Sequence, residues 1–90
     1  MRISRISLDR YLELTGKADS QVDYLEVGHS WFASADGRAL GRVVLNPSDH
    51  LWDAIAEFAT TNGWAPVDVD PREFPTLRRA EQSLVSFMSG

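Results

Sequence analysis

The stretch SDHLWDAIAEFATTNGWAPVDV, residues 48–69 of this 90-residue chain, decides the fold. Its first part, residues 48–61, is rich in alanine and has apolar side chains at helical spacing, which predicts a helix with Ser48 as its N-cap. The same part also has apolar side chains at every second position from Trp52 onwards, which predicts a strand. The residues alone leave both structures open, and the two structures give different folds.

The turn that follows residues 48–61 favours the strand. Asn62-Gly63 is a dipeptide typical of two-residue hairpin loops, because both residues readily adopt positive φ. With these two residues as the loop, the pairing places Phe58 opposite Val67 on an apolar face. Pro66 has no backbone N–H to donate, which predicts that the second strand lies at a sheet edge.

The middle of the chain is acidic. Between Val43 and Pro71 there are five acids and no Lys or Arg, and the whole chain has a net charge of −4. In the predicted hairpin, Glu57 lies opposite Asp68, so like charges face each other on the polar side of the sheet. An ordinary solvated face is one explanation, and a partner-binding surface is the other. The candidate residues for this surface are Asp49, Asp53, Glu57, Trp64, Asp68 and Asp70.

A further hairpin is predicted over residues 29–45. Asp36-Gly37 has the same turn preference as the first dipeptide, and it lies between two short apolar runs. With these residues as a two-residue loop, Phe32 pairs with Gly41, so that the aromatic ring can lie over the glycine. The same register pairs Ala33 with Leu40.

The opposite face of this hairpin offers a secondary surface candidate. Trp31 lies opposite Arg42, whose guanidinium can stack on the indole ring in a cation–π contact. Together with Arg38 these residues form a small surface for base stacking and phosphate binding. The net charge argues against direct binding of nucleic acid, because such affinity comes largely from Lys and Arg.

Helices are predicted near both ends of the chain. Residues 8–15 have an apolar face and suitable capping residues on both sides. A strand is predicted over residues 22–27. Thr76 can cap a C-terminal amphipathic helix, in which Phe87 and Met88 continue the apolar stripe and are assigned to the core.

These elements predict a single α+β domain over residues 1–90. A small antiparallel sheet of two hairpins, with about three to five strands, carries a short N-terminal helix and a C-terminal helix packed on one face. Residues 48–61 form a helix in the alternative fold. His29 and His50 occur in no catalytic or metal-binding spacing and cysteine is absent, so no enzyme, metal or cofactor is predicted. No signal peptide or membrane span is visible, which predicts a cytoplasmic protein.

Several segments occur in an order that has a parallel among bacterial proteins. The run WFASADGRALGRVVL at residues 31–45 is followed by Trp52, by WAPVDV at 64–69 and by FPT at 74–76. This order resembles a family of small, functionally unassigned bacterial proteins, carried on mobile elements, with a (Y/W)FAS-DG-LG-V hairpin. The resemblance implies that residues 52–59 form a strand and that a proline-introduced helix ends the domain.

We expect a non-catalytic binding protein whose acidic face docks on a basic surface of a bacterial protein or nucleoprotein complex. Small, acidic, cysteine-free chains of this kind are typical of phage- or plasmid-encoded regulators, of which an anti-CRISPR inhibitor is one instance. Two alternatives stay open. One is a nucleic-acid-binding sheet that uses the secondary surface candidate. The other is a homo-oligomeric interaction protein, such as a homodimer, formed by edge-strand pairing or by burial of exposed tryptophans.

Overall fold

The computed structural model describes residues 2–16, 28–46, 48–69 and 73–90. Within them the chain forms two helices and one five-stranded antiparallel sheet in the order β1-β2-β3-β4-β5. The elements are β1 (Ile3–Ile6), α1 (Leu8–Thr15), β2 (Gly28–Ser34), β3 (Ala39–Leu45), β4 (Trp52–Thr60), β5 (Gly63–Asp68) and α2 (Leu77–Ser89). This is the predicted α+β fold. The strand predicted over residues 22–27 lies outside the described residues.

The ambiguous segment is a strand, so the helical alternative for residues 48–61 is wrong. β4 pairs with β3 on one side and with β5 on the other, and a helix here would leave the backbone groups of both neighbours without these partners. That pairing outweighs the helix propensity of the alanines, which is worth less than about 1 kcal/mol per residue. Ala54 and Ala56 are buried in the core that α2 covers.

The predicted register of the hairpin that β2 and β3 form is confirmed. The predicted pairs Phe32–Gly41, Trp31–Arg42 and Ala33–Leu40 all form. The loop is longer than predicted, because it spans residues 35–38 and the Gly37 N–H donates to the Ser34 carbonyl at 3.0 Å. The pairing is unchanged because the longer loop has the same centre.

Gly41 lies directly under α2. A Cβ atom at this position would be 2.7 Å from Met88 Sδ and 2.9 Å from Leu84 Cδ2, both closer than atoms normally approach. The glycine therefore lets the helix pack closely on β3. The sequence indicates room for the Phe32 ring at this glycine but gives no sign of the contact with α2.

The register of the hairpin that β4 and β5 form differs from the prediction by two residues. Thr60 pairs with Gly63 across the loop Thr61-Asn62, whereas the predicted loop begins one residue later. A two-residue loop of the Asn-Gly type needs positive φ at both of its residues. Neither Thr61 nor Asn62 has a positive φ, and Gly63, with a φ of 116°, adopts the conformation that favours glycine at the position after the loop.

The predicted pairing of Glu57 with Asp68, which would place like charges opposite each other, is therefore wrong. Glu57 pairs with Pro66, and Asp68 pairs with Ile55. Because the shift is two residues, each side chain keeps its predicted face of the sheet and changes only its partner. Pro66 lies in an edge strand, as predicted.

The two helices pack on opposite faces of the sheet. α2 lies over β3 and β4 and buries Ala80, Leu84 and Met88 in the main core. α1 lies on the other face, where Tyr11 packs with Leu40 in a second cluster. Neither helix of the described part is long and apolar enough to cross a membrane.

Candidate functional site

The residues that the sequence predicts for the acidic face differ in exposure. Asp49 and Asp68 are exposed, Asp53 and Trp64 are half-buried, and Asp70 lies outside the described residues. Glu57 is 3% exposed. The prediction of an exposed carboxylate at Glu57 is therefore wrong, although Asp53 and Asp68 share its face of the sheet.

Glu57 lies under α1 in a buried network with Tyr11 and Arg42. Arg42 Nη1 donates to Glu57 Oε1 at 2.6 Å and to the Tyr11 hydroxyl at 2.9 Å. The Tyr11 hydroxyl donates in turn to Glu57 Oε1. The network therefore joins α1, β3 and β4 through one carboxylate oxygen.

The register of the sheet brings these side chains together. Leu40 pairs with Glu57, and Arg42 pairs with Ile55, so Arg42 and Glu57 are diagonal neighbours on the face that carries α1. Long side chains reach one another across such a diagonal. The helix then places Tyr11 over the same face, where its ring is fully buried.

The chemistry of this network is that of an internal ion pair. Burial raises the pKa of the Tyr11 hydroxyl above its ordinary value of 10.0, and the hydrogen bond to Glu57 raises this pKa further. The hydroxyl therefore stays protonated and serves as a donor at neutral pH. Tyr11 is 0% exposed and Glu57 is 3% exposed, so these groups hold α1 on the sheet and face no solute.

The residues of the secondary surface candidate also differ in exposure. The Arg42 guanidinium, which the sequence predicts to stack on Trp31, binds Glu57, and its side chain is 12% exposed. Trp31 is half-buried and packs with the cluster around Tyr11. Of the three candidates, Arg38 alone is an exposed residue.

An apolar surface lies at the β5 edge of the sheet. Val67 is 39% exposed and Phe87 is 40% exposed, although both are large hydrophobic residues. The ring centroids of Phe87 and Phe58 are 6.2 Å apart. Phe58 pairs with Ala65, which lies two positions before Val67 on the same face of β5. We call Phe58, Ala65, Val67 and Phe87 the β5 patch.

The assignment of Phe87 to the core is wrong, whereas that of Met88 is confirmed at 6% exposure. Both residues belong to the apolar stripe of α2, and the stripe is wider than the surface that the helix buries on β3 and β4. Phe87 lies at the border of the stripe, where its ring is near that of Phe58 on β4. The helical period of the sequence predicts the stripe but not its position over the strands.

A second polar network joins β1, β2 and α2, and sequence reasoning missed it. Arg5 Nη2 lies 2.8 Å from Glu81 Oε2, and Arg5 Nη1 donates to the Ser30 hydroxyl at 3.2 Å. The Ser30 hydroxyl donates to Glu81, and the Arg5 guanidinium lies 5.0 Å from the centre of the Phe32 ring. No local pattern could reveal this network, because Ser30 and Glu81 are 51 residues apart.

No metal site among the described residues and no match to a known protein points to a function. The described residues contain no group of three or more His, Asp or Glu side chains that could hold a metal ion. Comparison with protein-family models, with curated proteins and with solved structures finds no match to this chain. The resemblance to the mobile-element family therefore stays a prediction, and function must be argued from the surface.

Proposed function

We propose that this protein is a non-catalytic binding protein that docks the β5 side of its sheet on a bacterial protein or nucleoprotein complex. The observation that carries the proposal is the β5 patch, where Val67 and Phe87 are exposed beside an edge strand. Protein interfaces typically have an apolar centre and a polar or charged rim. The patch supplies such a centre.

The rim of this surface is acidic, so the proposed partner is basic around an apolar centre. β4 and β5 contain acids but no Lys or Arg, and Arg42 on β3 is neutralised by Glu57. Asp68 is exposed and follows Val67 on β5, with its side chain on the opposite face of the strand, so it borders the patch across the sheet edge. Asp49 is exposed in the loop that precedes β4 and lies outside the patch. Complementary charge directs docking and raises the rate of association.

A phage- or plasmid-encoded inhibitor, such as an anti-CRISPR protein, is one instance of this class. Its acidic rim would occupy a basic groove that otherwise binds nucleic acid. Of the alternatives, direct binding of nucleic acid would depend largely on Arg38, because Arg42 is held by Glu57. A homo-oligomer would bury the β5 patch against a second copy, and the mass in solution separates it from a binder of another protein.

The test is an affinity capture from bacterial lysate, analysed by mass spectrometry, with matched variants side by side. Val67→Ser/Phe87→Ser removes apolar side chains that are already exposed, and Asp68→Lys reverses the charge of the rim. Glu13→Lys is the control, because it makes the same charge change at an exposed position of α1. We expect a partner with a basic surface that wild type and the control retain and that both β5 variants lose.

Retention of the same proteins by all four chains would contradict the proposal. Circular dichroism of each variant establishes that the fold is intact, so that a lost partner is attributed to the surface. A partner lost equally by Glu13→Lys and Asp68→Lys would indicate a response to net charge and would also contradict a specific interface.

A further inference from the structure

In the described part of the chain, no strand pairs with the outer edge of β1. The Ala35 N–H donates to the Arg2 carbonyl at 3.0 Å, which marks residues 2 and 35 as a hydrogen-bonded pair of the antiparallel ladder. Because such pairs alternate with non-hydrogen-bonded pairs, Ser4 and Ile6 bond inward to β2. The N–H and C=O groups of Ile3 and Arg5 therefore face outward, and no hydrogen bond to another described residue takes them up.

The opposite edge of the sheet is β5, and it lacks an N–H donor at one outward position. The Val69 N–H donates to the Ala54 carbonyl at 3.0 Å, and the same alternation makes Pro66 an outward-facing position of β5. Proline has no N–H, so it removes a donor from the middle of this edge without weakening the pairing with β4. Of the two edges in the described part of the sheet, β1 is the one from which no proline removes an outward donor.

A groove lies beside the open edge. Its volume is about 500 Å³, and it runs between β1, Phe32 and the exposed side of α2, with Val85 on the helix wall. The side chains of Ile3 and Arg5 are on the face of the sheet that carries α2, as the contact of Arg5 with Glu81 shows. A strand added to β1 would direct every second side chain toward this groove.

The charges of the groove select an acidic occupant. Its charged lining residues are Arg5, Arg78 and Glu81, and Glu81 is already bound to Arg5 and Ser30. Arg78 is exposed, and the Arg5 side chain remains 59% exposed beside its ion pair. The groove therefore has an excess of positive charge in a chain whose net charge is −4.

We propose that β1 and this groove bind an extended acidic peptide segment of a partner protein by strand addition. The segment pairs with the outward backbone groups of Ile3 and Arg5. It places an apolar side chain against Phe32 and Val85, and carboxylates near Arg5 and Arg78. This site is separate from the β5 patch, so either proposal can fail without the other.

The test is nuclear magnetic resonance of the labelled full chain titrated with a short, end-blocked peptide. Every second residue of the peptide is glutamate or valine in turn, with threonine between them, so that acidic and apolar side chains lie on one face of the strand. We expect chemical-shift changes and slower hydrogen exchange at the Ile3 and Arg5 amides, together with shifts along the exposed side of α2. The same peptide N-methylated at every residue has no backbone N–H to donate on either edge and should cause none of these changes. The same peptide with lysine in place of each glutamate should bind more weakly.

Two pairs of variants separate backbone pairing from charge. Ile3→Pro removes an outward N–H as Pro66 does at the other edge, whereas Ile3→Ala removes the side chain and keeps the N–H. We expect peptide-induced shifts in the alanine variant and their loss in the proline variant. Arg78→Glu should weaken binding, and Arg79→Glu, at an exposed neighbouring position outside the groove lining, should not.

Three results would overturn the proposal. One is the absence of shifts at Ile3 and Arg5 at millimolar peptide. Another is equal binding by the two arginine variants, which does not depend on how well the proline variant folds. The third is a shift of the β1 amides with protein concentration in the absence of peptide, because it would identify a second copy of this chain as the occupant.

Discussion

At Glu57 a carboxylate is held inside a 90-residue protein by donors from two other elements. Removing such a charge from water costs several kcal/mol, and a close cation with further hydrogen bonds offsets that cost. Arg42 supplies the cation, while Tyr11 supplies a hydrogen bond from α1. The arrangement makes each member depend on the other two, and this dependence can be measured by substitution.

Arg42→Met is expected to lower the free energy of unfolding by about 3–5 kcal/mol, because it leaves Glu57 buried without its cation. Tyr11→Phe keeps the ring in place and removes one hydrogen bond to a charged group, so a loss of about 1.5–3 kcal/mol is expected. Urea unfolding followed by tryptophan fluorescence measures both values.

The double variant Arg42→Met/Glu57→Leu is the control for this prediction. It removes both charges, and buried ion pairs replaced by apolar side chains often leave stability nearly unchanged. We therefore expect the double variant to be more stable than Arg42→Met alone. The single variant Glu57→Leu completes the comparison. A double variant whose loss of stability equals the sum of the Arg42→Met and Glu57→Leu losses would show that the ion pair does not govern stability here.

The same residue shows why the candidate site was only partly predictable. Sequence reasoning placed Glu57 on the correct face of the correct strand but treated that face as exposed. The burial comes from Tyr11, which lies 46 residues away in α1. A contact over this distance leaves no periodic or local signal, so the sequence does not distinguish Glu57, which is buried, from Asp49 and Asp68, which are exposed.

Among the elements, α2 depends on a close approach to β3 at Gly41. Gly41→Ala is expected to cost about 1–3 kcal/mol, because the new methyl group would displace Met88 and Leu84 from their positions over the sheet. Thermal unfolding by circular dichroism measures the loss.

Met88→Ala provides the matched control, since it vacates the nearest atom to the added methyl group. In the double variant the two losses should be less than additive, because the alanine at position 41 fills space that Met88 has left. Strict additivity would contradict the contact between Gly41 and α2 as the cause.

The two hairpins differ in how well the sequence predicts their strand register. The first register was predictable because its longer loop has the same centre as the Asp36-Gly37 pair. The second was not, because an Asn-Gly dipeptide allows glycine either within the loop or just after it. The choice depends on φ at Thr61 and Asn62, which the strand pairing of β4 and β5 sets. β1 was missed because four residues, two of them polar, carry too weak a pattern.

At the scale of the molecule, each face of the sheet carries one helix and one polar network that fixes it, as far as the described residues show. Tyr11, Arg42 and Glu57 hold α1, while Arg5, Ser30 and Glu81 hold α2. The sheet itself has two unlike edges. β1 keeps outward donors beside a positively charged groove, whereas β5 has Pro66 at an outward position beside the exposed Val67. The proline therefore protects the edge that also exposes the apolar patch.

Pro66→Val should convert β5 into an edge that pairs with other chains, because it restores the outward N–H next to the exposed Val67. We expect a mass that rises with protein concentration in size-exclusion chromatography with light scattering, at concentrations where wild type elutes as a single chain. Ala65→Val is the matched control, since it adds a β-branched residue at a position whose N–H already faces β4. A monomeric Pro66→Val variant would contradict this role of the proline, and association of wild type itself would favour the homo-oligomer over a binder of another protein.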